Sequence, residues 1–376
     1  MDLRRRLIGW SLGRPRVLLV DAPGSRALRW SVEGELDRRG WPLALSPADV
    51  DLLLVLGAPG PELSAAVDRL WRQTPAPRHR QDIGPADAPG AVLDAARAAL
   101  LTGAWGGTSV PPPGPWSEDG AMPDHKGMDH EDMDHKGMDH GSGQRTGMAE
   151  MEHGGHGQHG GGGGHDGQEM HHGGTVAGLA MAGTAPDRDG LELDSLAVSL
   201  GPVMPGWPTG LVLHAQMQGD VLTGVEVSWA DGTPVSTPVG AASSHRRAAA
   251  LDSLSRFPVV AGCPTIAWEA RVARAGLMST EPVVVDRAQS AASRLARLVR
   301  GARSLAWSVR GIGGTGGGDA LTRVRHWCDV AAGRDAAGGS VTAVTSADLA
   351  TLVEGAELAG ARLVVASVDL EPGPGR

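Results

Sequence analysis

Hydrophobic positions change their spacing three times along the chain. "RVLLVDAPG" is a short apolar run closed by a Pro-Gly turn, which predicts a buried strand. In "SRALRWSVEGELDRRG", Leu28, Val32 and Leu36 recur at helical spacing and Gly40 supplies a stop, predicting an amphipathic helix. "WPLALS" predicts a second strand, and "DVDLLLVLGAPG" is the clearest buried strand. "PELSAAVDRLWRQTPAP" opens at Pro61 and ends before Pro75 with helical spacing between, and "GAVLDAARAALLTGAW" predicts one more helix. Strand and helix alternate, so residues 17–105 read as an α/β domain with a short parallel sheet, preceded by an N-terminal arm, residues 1–16.

Periodicity then stops. Residues 106–186 pass from the Pro-rich "GGTSVPPPGPWSEDG" through His/Met repeats to "HGGHGQHGGGGGHDGQEMHHGG", and nothing in them can bury a core. They predict a linker that is disordered without metal. Residues 187–376 are patterned again and predict an α+β domain, a β-hairpin plus helices. "GLELDSLAVSLGP" and "GLVLHAQMQGDVLTGVEVSWADG" alternate like strands, with "QGD" as the hairpin turn. From "HRRAAALDSLSRF" through "LVRGARSLAWSVRG" the spacing is helical, and "LAGARLVVASVDLEPGPGR" predicts a closing strand.

Charge and composition remove several function classes. A formal net charge of -9 with no basic stripe argues against nucleic acid as a partner. Lys126 and Lys136 are the only lysines, Tyr and Asn are absent and Phe257 is the only Phe, as a high-GC genome would produce. The many arginines therefore carry no individual meaning at this level. Cys263 and Cys328 match no metal or redox spacing and read as two thiols in a reducing compartment. No apolar run approaches the ~20 residues that span a bilayer, and "LIGWSL" is too short for the core of a secretory leader. The expectation is a cytoplasmic protein, peripheral at the inner face of the cell membrane if partner subunits hold it there.

The linker carries the most specific chemistry. "DHKGMDHEDMDHKGMDHGSG" is four pentapeptides that each open with Asp-His, three of them closing with Met. Ten of the fourteen histidines lie between residues 125 and 172 and seven of the twelve methionines between 122 and 170. Imidazole binds Cu, Ni and Zn, and thioether favours Cu(I). A five-residue period steps about 140° around a helix and alternates faces on a strand, so the repeat lines no face of either. It suits a flexible chain that wraps ions with interchangeable ligands. The candidate ligands are His125, Met128, His130, Met133, His135, Met138, His140, His153, His156, His159, His165, His171 and His172, with Cu or Ni as the metal and Zn fitting less well. The segment resembles the Met/Asp/His-rich tracts of bacterial copper-resistance proteins and the His-rich tails of nickel-handling proteins.

The flanks carry a second resemblance. "ADVDLLLVLGAPGPELSAAVDRLWRQTPAPR" resembles the B subunit of NADH–quinone oxidoreductase (respiratory complex I) and the small subunit of nickel–iron hydrogenases, over roughly eighty residues. Leu52 to Gly57, Leu63 to Leu70 and Pro75 to Arg78 occupy the family's strand, helix and helix-end places. The C-terminal part resembles the D subunit, relative of the hydrogenase large subunit. "LGPVMPGWPTGLVLHAQMQGDVLTGVEV" is similar to its hairpin, "LDSLSRFPVVAGCPTIAWEARVARAG" to its first core helix, "RLARLVRGARSLAWSVRGIGG" to the next helix, and "LVVASVDLEPG" to its closing strand. These pieces come in the family's order. The family's cluster-binding cysteines are missing, since residues 1–262 contain none. Met204 stands where the hairpin histidine that faces quinone would be, and the nickel-binding CxxC pairs are absent.

The resemblance therefore implies two degenerate modules without an iron–sulfur cluster. It implies a non-catalytic accessory or assembly subunit of a complex-I-like or hydrogenase-like membrane oxidoreductase, whose subunits would be its partners along with metal ions. The alternatives are a cytosolic copper or nickel buffer on a borrowed scaffold, and an active oxidoreductase subunit with replaced ligands. Two further motifs carry less. "HWCD", residues 326–329, reads as a helix-borne coincidence and not a thiol–base pair, and "GIGGTGGGD", residues 311–319, lacks the Lys-Ser/Thr ending of a phosphate loop. Trp207 and Trp229 read as hairpin packing.

Overall fold

The computed structural model describes residues 9, 11–102, 175–176, 179–180, 183–186, 191–232, 243–334 and 344–370. The chain divides into two compact units, Met1–Pro112 together with Ala182–Arg376, and Pro113–Met181.

The first half is a parallel sheet between helices. Strand β1 (Val17–Asp21) leads to helix α1 (Arg26–Arg39), which Gly40 closes in the left-handed region at φ 66°. Strand β2 (Leu52–Leu56), helix α2 (Pro61–Gln73), strand β3 (His79–Ile83) and helix α3 (Pro89–Thr102) follow. The sheet order is β1-β2-β3, with Val17 opposite Leu52 and Leu52 opposite His79. Side chains alternate across a strand. Leu52, Leu54 and Leu56 therefore meet Val32 and Leu36 of α1 and Leu93, Ala96 and Leu100 of α3. Leu53 and Val55 face Leu63, Val67 and Trp71 of α2 on the other side.

One expectation for this half is corrected, and one strand had no sequence signal. "WPLALS" is not a strand of the sheet; it makes one bridge, Leu43 to Val17. Pro42 has no N–H to extend that pairing. The third strand is "HRQDI", which carries one fully buried side chain, Ile83. An edge strand can be polar because its ladder bonds and not its side chains hold it.

In the Pro113–Met181 unit the described residues are strand β4 (Thr175–Val176) paired antiparallel with strand β5 (Leu179–Ala180). Strand β6 (Gly183–Pro186) joins the C-terminal sheet. The segment expected to be disordered to residue 186 thus holds three short strands. They fall where "TVAGLAMAGTAP" departs from its His/Gly-rich composition.

The C-terminal half is an antiparallel sheet plus helices, with β6 added to the strands read from the sequence. Its strand order is β6-β7-β8-β9, with β7 (Glu192–Leu200), β8 (Leu211–Gln218) and β9 (Val221–Trp229). The β8–β9 turn falls at the "QGD" read from the sequence, with Gly219 at φ 60°. Helices α4 (Ser243–Val260), α5 (Pro264–Leu277), α6 (Pro282–Gly301), α7 (Arg303–Val309) and α8 (Ala320–Ala331) follow. Phe257 and Trp327 meet edge-to-face in their shared core, ring centroids 6.2 Å apart. The stretch read as one core helix is two, α4 and α5, broken where Gly262 takes φ 75° and Pro264 begins the second.

Helices α9 (Ser346–Val353) and α10 (Leu358–Ser367) complete the fold. The tail expected as a closing strand is therefore helical. Ala361, Val364 and Val365 repeat at helical as well as strand-like intervals, and they pack on Leu211, Leu213 and Leu222 of the sheet. That burial overrides the β preference of valine.

Candidate functional site

A cavity of about 710 Å³ lies where the first half meets the C-terminal half. One wall is β1, the inner face of α1 and residues 40–45; the other is the loop 203–209 and the α4–α5 corner. Local sequence shapes the loop wall. Trp207 is buried and its indole N–H donates to the Leu211 carbonyl at 2.7 Å. Gly206 sits at φ 74°, and a Cβ there would lie 2.6 Å from Val260 Cγ2, so the close approach of the loop to α4 requires glycine.

Beside the cavity runs a buried ring of charge. Arg29 on α1 donates to Glu33 Oε1 at 3.1 Å and to Asp252 Oδ2 of α4 at 2.8 Å. Arg274 on α5 donates to Asp252 Oδ1 at 2.5 Å and to Glu33 Oε2. Two guanidiniums thus share two carboxylates across three helices from both halves. Arg274 is 0% exposed and lies 5.3 Å over the Trp30 ring. Arg29 also reaches Asp21 at 3.3 Å, whose carboxylate accepts from Thr209 at 2.7 Å. Arg271 holds Asp37 by two bonds of 3.1 and 3.2 Å. Gly34 lets α1 lie close to α5, because a Cβ there would be 3.3 Å from the Ala275 methyl. A further tie is a helix cap supplied from the other half. Asp231, just after β9, accepts from the Glu62 and Leu63 N–H groups at the start of α2, at 2.9 and 3.3 Å.

Burial by itself would raise the Asp252 carboxyl. The guanidiniums of Arg29, Arg274 and Arg256 outweigh it and hold Asp252 well below the usual carboxylate range. Glu33 follows the same pattern; burial raises it, Arg274 and Arg29 lower it further, and the result is a lowered value despite Asp252 nearby. Asp37 is the opposite, since burial pushes it up more than Arg271 pulls it down. Depressed carboxyls contribute stability that is present above their unfolded value, about 4, and is lost as pH falls below it. Asp37 and Asp51 contribute with the reverse sign, against the lowered carboxyls of Glu33, Asp94, Asp252 and Asp319. The thermal midpoint is expected to fall steeply below about pH 4, followed by circular dichroism against pH. A midpoint that stays level or rises from pH 5 to pH 3 would contradict this sign.

The candidate metal ligands His125 to His172 and the methionines among them lie outside the described residues. Among the described residues no group of three or more His, Cys, Asp or Glu is placed to hold a metal ion. The resemblance implies an iron–sulfur cluster in the family, and the residues after β1 do not fit one. Asp21 and Ser25 offer oxygens, Asp21 is already bonded by Arg29 and Thr209, and thiolates are what hold such clusters. Met204 lines the cavity.

"HWCD" lies on α8, where Cys328 is buried and burial pushes its thiol up to about 12. Both cysteines are free, and Cys263 is partly exposed. A thiol reagent is therefore expected to modify Cys263 in the native protein and Cys328 only after denaturation; rapid modification of both would refute this. "GIGGTGGGD" is a loop whose Asp319 caps α8, accepting from the Thr322 and Gly311 N–H groups at 2.9 and 2.7 Å. Trp229 donates to the Ser346 hydroxyl at 3.2 Å, which makes it a hairpin-to-α9 tie.

Sequence reading did not find the charge ring. Its one local signal is Arg29–Glu33 at i,i+4, which any surface helix can show. Among the described residues no helix is long and apolar enough to cross a membrane. No protein-family model, no curated protein and no solved structure matches the chain.

Proposed function

We propose that the protein is a non-catalytic accessory or assembly subunit of a complex-I-like or hydrogenase-like membrane oxidoreductase, with a linker that binds copper or nickel. The observation that carries this reading is the Arg29–Glu33–Arg274–Asp252 ring. It joins the B-like half to the D-like half, as docking of the two related subunits would require. A parallel three-stranded sheet in the first half and an antiparallel sheet with helices in the second support the same pairing. The absence of cysteine from residues 1–262 supports a scaffolding and not an electron-carrying role. Affinity purification of the tagged full chain from native cells is expected to bring down membrane oxidoreductase subunits. Recovery of none, from gently solubilised membranes, would overturn the proposal.

The composition of residues 122–172 favours a second reading, a cytosolic copper or nickel buffer. Deleting that segment separates the two. Lost metal tolerance with an intact complex favours the buffer, whereas a disrupted complex with normal tolerance favours the subunit.

A further inference from the structure

The cavity beside the charge ring has its own chemistry, and one guanidinium lining it is held only by a 3.7 Å ion pair with Asp252. Asp21 is bonded by Arg29 and Thr209, Glu33 by Arg29 and Arg274, and Asp37 by Arg271. Arg256, on α4, lines the same cavity, and its side chain makes no hydrogen bond to the described residues. Its Nε is buried without a partner, and its nearest carboxylate oxygen, on Asp252, is 3.7 Å away. Both Asp252 oxygens are already taken, at 2.5 Å by Arg274 and 2.8 Å by Arg29. A guanidinium in this position offers terminal N–H donors with no acceptor among the described residues.

Around it the walls are mostly apolar. Leu18, Leu43, Val203, Met204, Trp207 and Val259 face the space, whose 710 Å³ falls within the roughly 300–1,000 Å³ of small-molecule sites. Leu45 and Trp268, which also line it, are 54% and 48% exposed, so the mouth is apolar too. A mostly apolar cavity lined by a guanidinium whose terminal N–H groups have no hydrogen-bond acceptor among the described residues matches a molecule with an apolar tail and an anionic head. The planar fork of arginine fits a carboxylate with two parallel bonds.

We propose that this cavity binds a linear monocarboxylate amphiphile, its carboxylate on Arg256 and its chain against Trp207, Met204 and Val259. The inference goes beyond the accessory-subunit reading and does not rest on it. A ligand seated here touches both halves, so its binding would also hold them together.

The test is calorimetric titration of the full chain with octanoate and, at matched chain length, with 1-octanol. Saturable octanoate binding is expected, at least tenfold tighter than octanol. Arg256→Gln is expected to weaken octanoate binding about ten- to hundredfold, as loss of a charge-assisted bond does. Val259→Phe, which fills part of the cavity, is expected to weaken it at least tenfold. The unfolding midpoint of each variant shows whether it is folded, and the octanoate–octanol comparison on the wild-type chain decides the head chemistry without any variant. No saturable octanoate binding, equal affinity for octanol, or undiminished binding by a folded Arg256→Gln protein would overturn the proposal.

Discussion

Replacing Arg274 by methionine is expected to destabilise the folded protein by about 3–5 kcal/mol, the usual consequence of removing one partner from a buried ion pair. Arg274 is fully buried and, among the described residues, is the only group that donates to both Asp252 Oδ1 and Glu33 Oε2. Without it Glu33 Oε2 loses its hydrogen-bond donor among the described residues, and the two buried carboxylates share Arg29, with Arg256 only at 3.7 Å from Asp252. The penalty comes chiefly from the stranded charge and not from lost attraction. Adding Glu33→Gln to Arg274→Met is therefore expected to recover part of the loss, although Arg29 then loses a partner. Urea unfolding of the single and double variants measures both. A loss below about 1 kcal/mol for Arg274→Met would show that the ring is solvated in solution.

Gly201→Ala is expected to be nearly as damaging. Gly201 has φ 109°, and a Cβ built there would lie 2.2 Å from the Leu211 carbonyl oxygen and 2.8 Å from Trp207 Nε1. That carbonyl is the acceptor that fixes Trp207 over the cavity. Backbone strain of about 1–3 kcal/mol adds to an overpacking penalty of similar size. The total expected is about 2–6 kcal/mol, with the Trp207 wall displaced. Gly219→Ala is the control. Gly219 also has positive φ, 60°, but open space around it, so its substitution is limited to about 1–2 kcal/mol of left-handed strain. Equal melting temperatures for the two variants would show that the contact with Leu211 is not tight.

Much of the fold is legible without coordinates because its signals are local. The "VLLV" and "LLLVL" runs, the spacing of Val32 and Leu36, Gly40 as a stop and the "QGD" turn each follow from a few neighbouring residues, and each element forms where its pattern predicts. Errors arise where the same local pattern supports two answers or none. "LVVAS" satisfies both strand and helix spacing, and the sheet against which α10 packs decides for helix. "HRQDI" has no apolar alternation at all; it becomes a strand because β2 has a free edge to pair.

The sequence by itself determined the element types, the break in composition after residue 105 and the clustering of histidine and methionine in one segment. Only the tertiary structure decided that Arg29, Glu33, Asp252 and Arg274 form one buried ring, and that Arg256 lines a cavity with no hydrogen-bond acceptor for its side chain among the described residues. The reason is physical. Hydrophobic periodicity is set by neighbours three or four residues apart. A buried charge is tolerable only with a partner, and Arg274 finds Glu33 at a separation of 241 residues. In a chain rich in arginine, no one-dimensional pattern distinguishes a guanidinium bound for the core from one that stays in water.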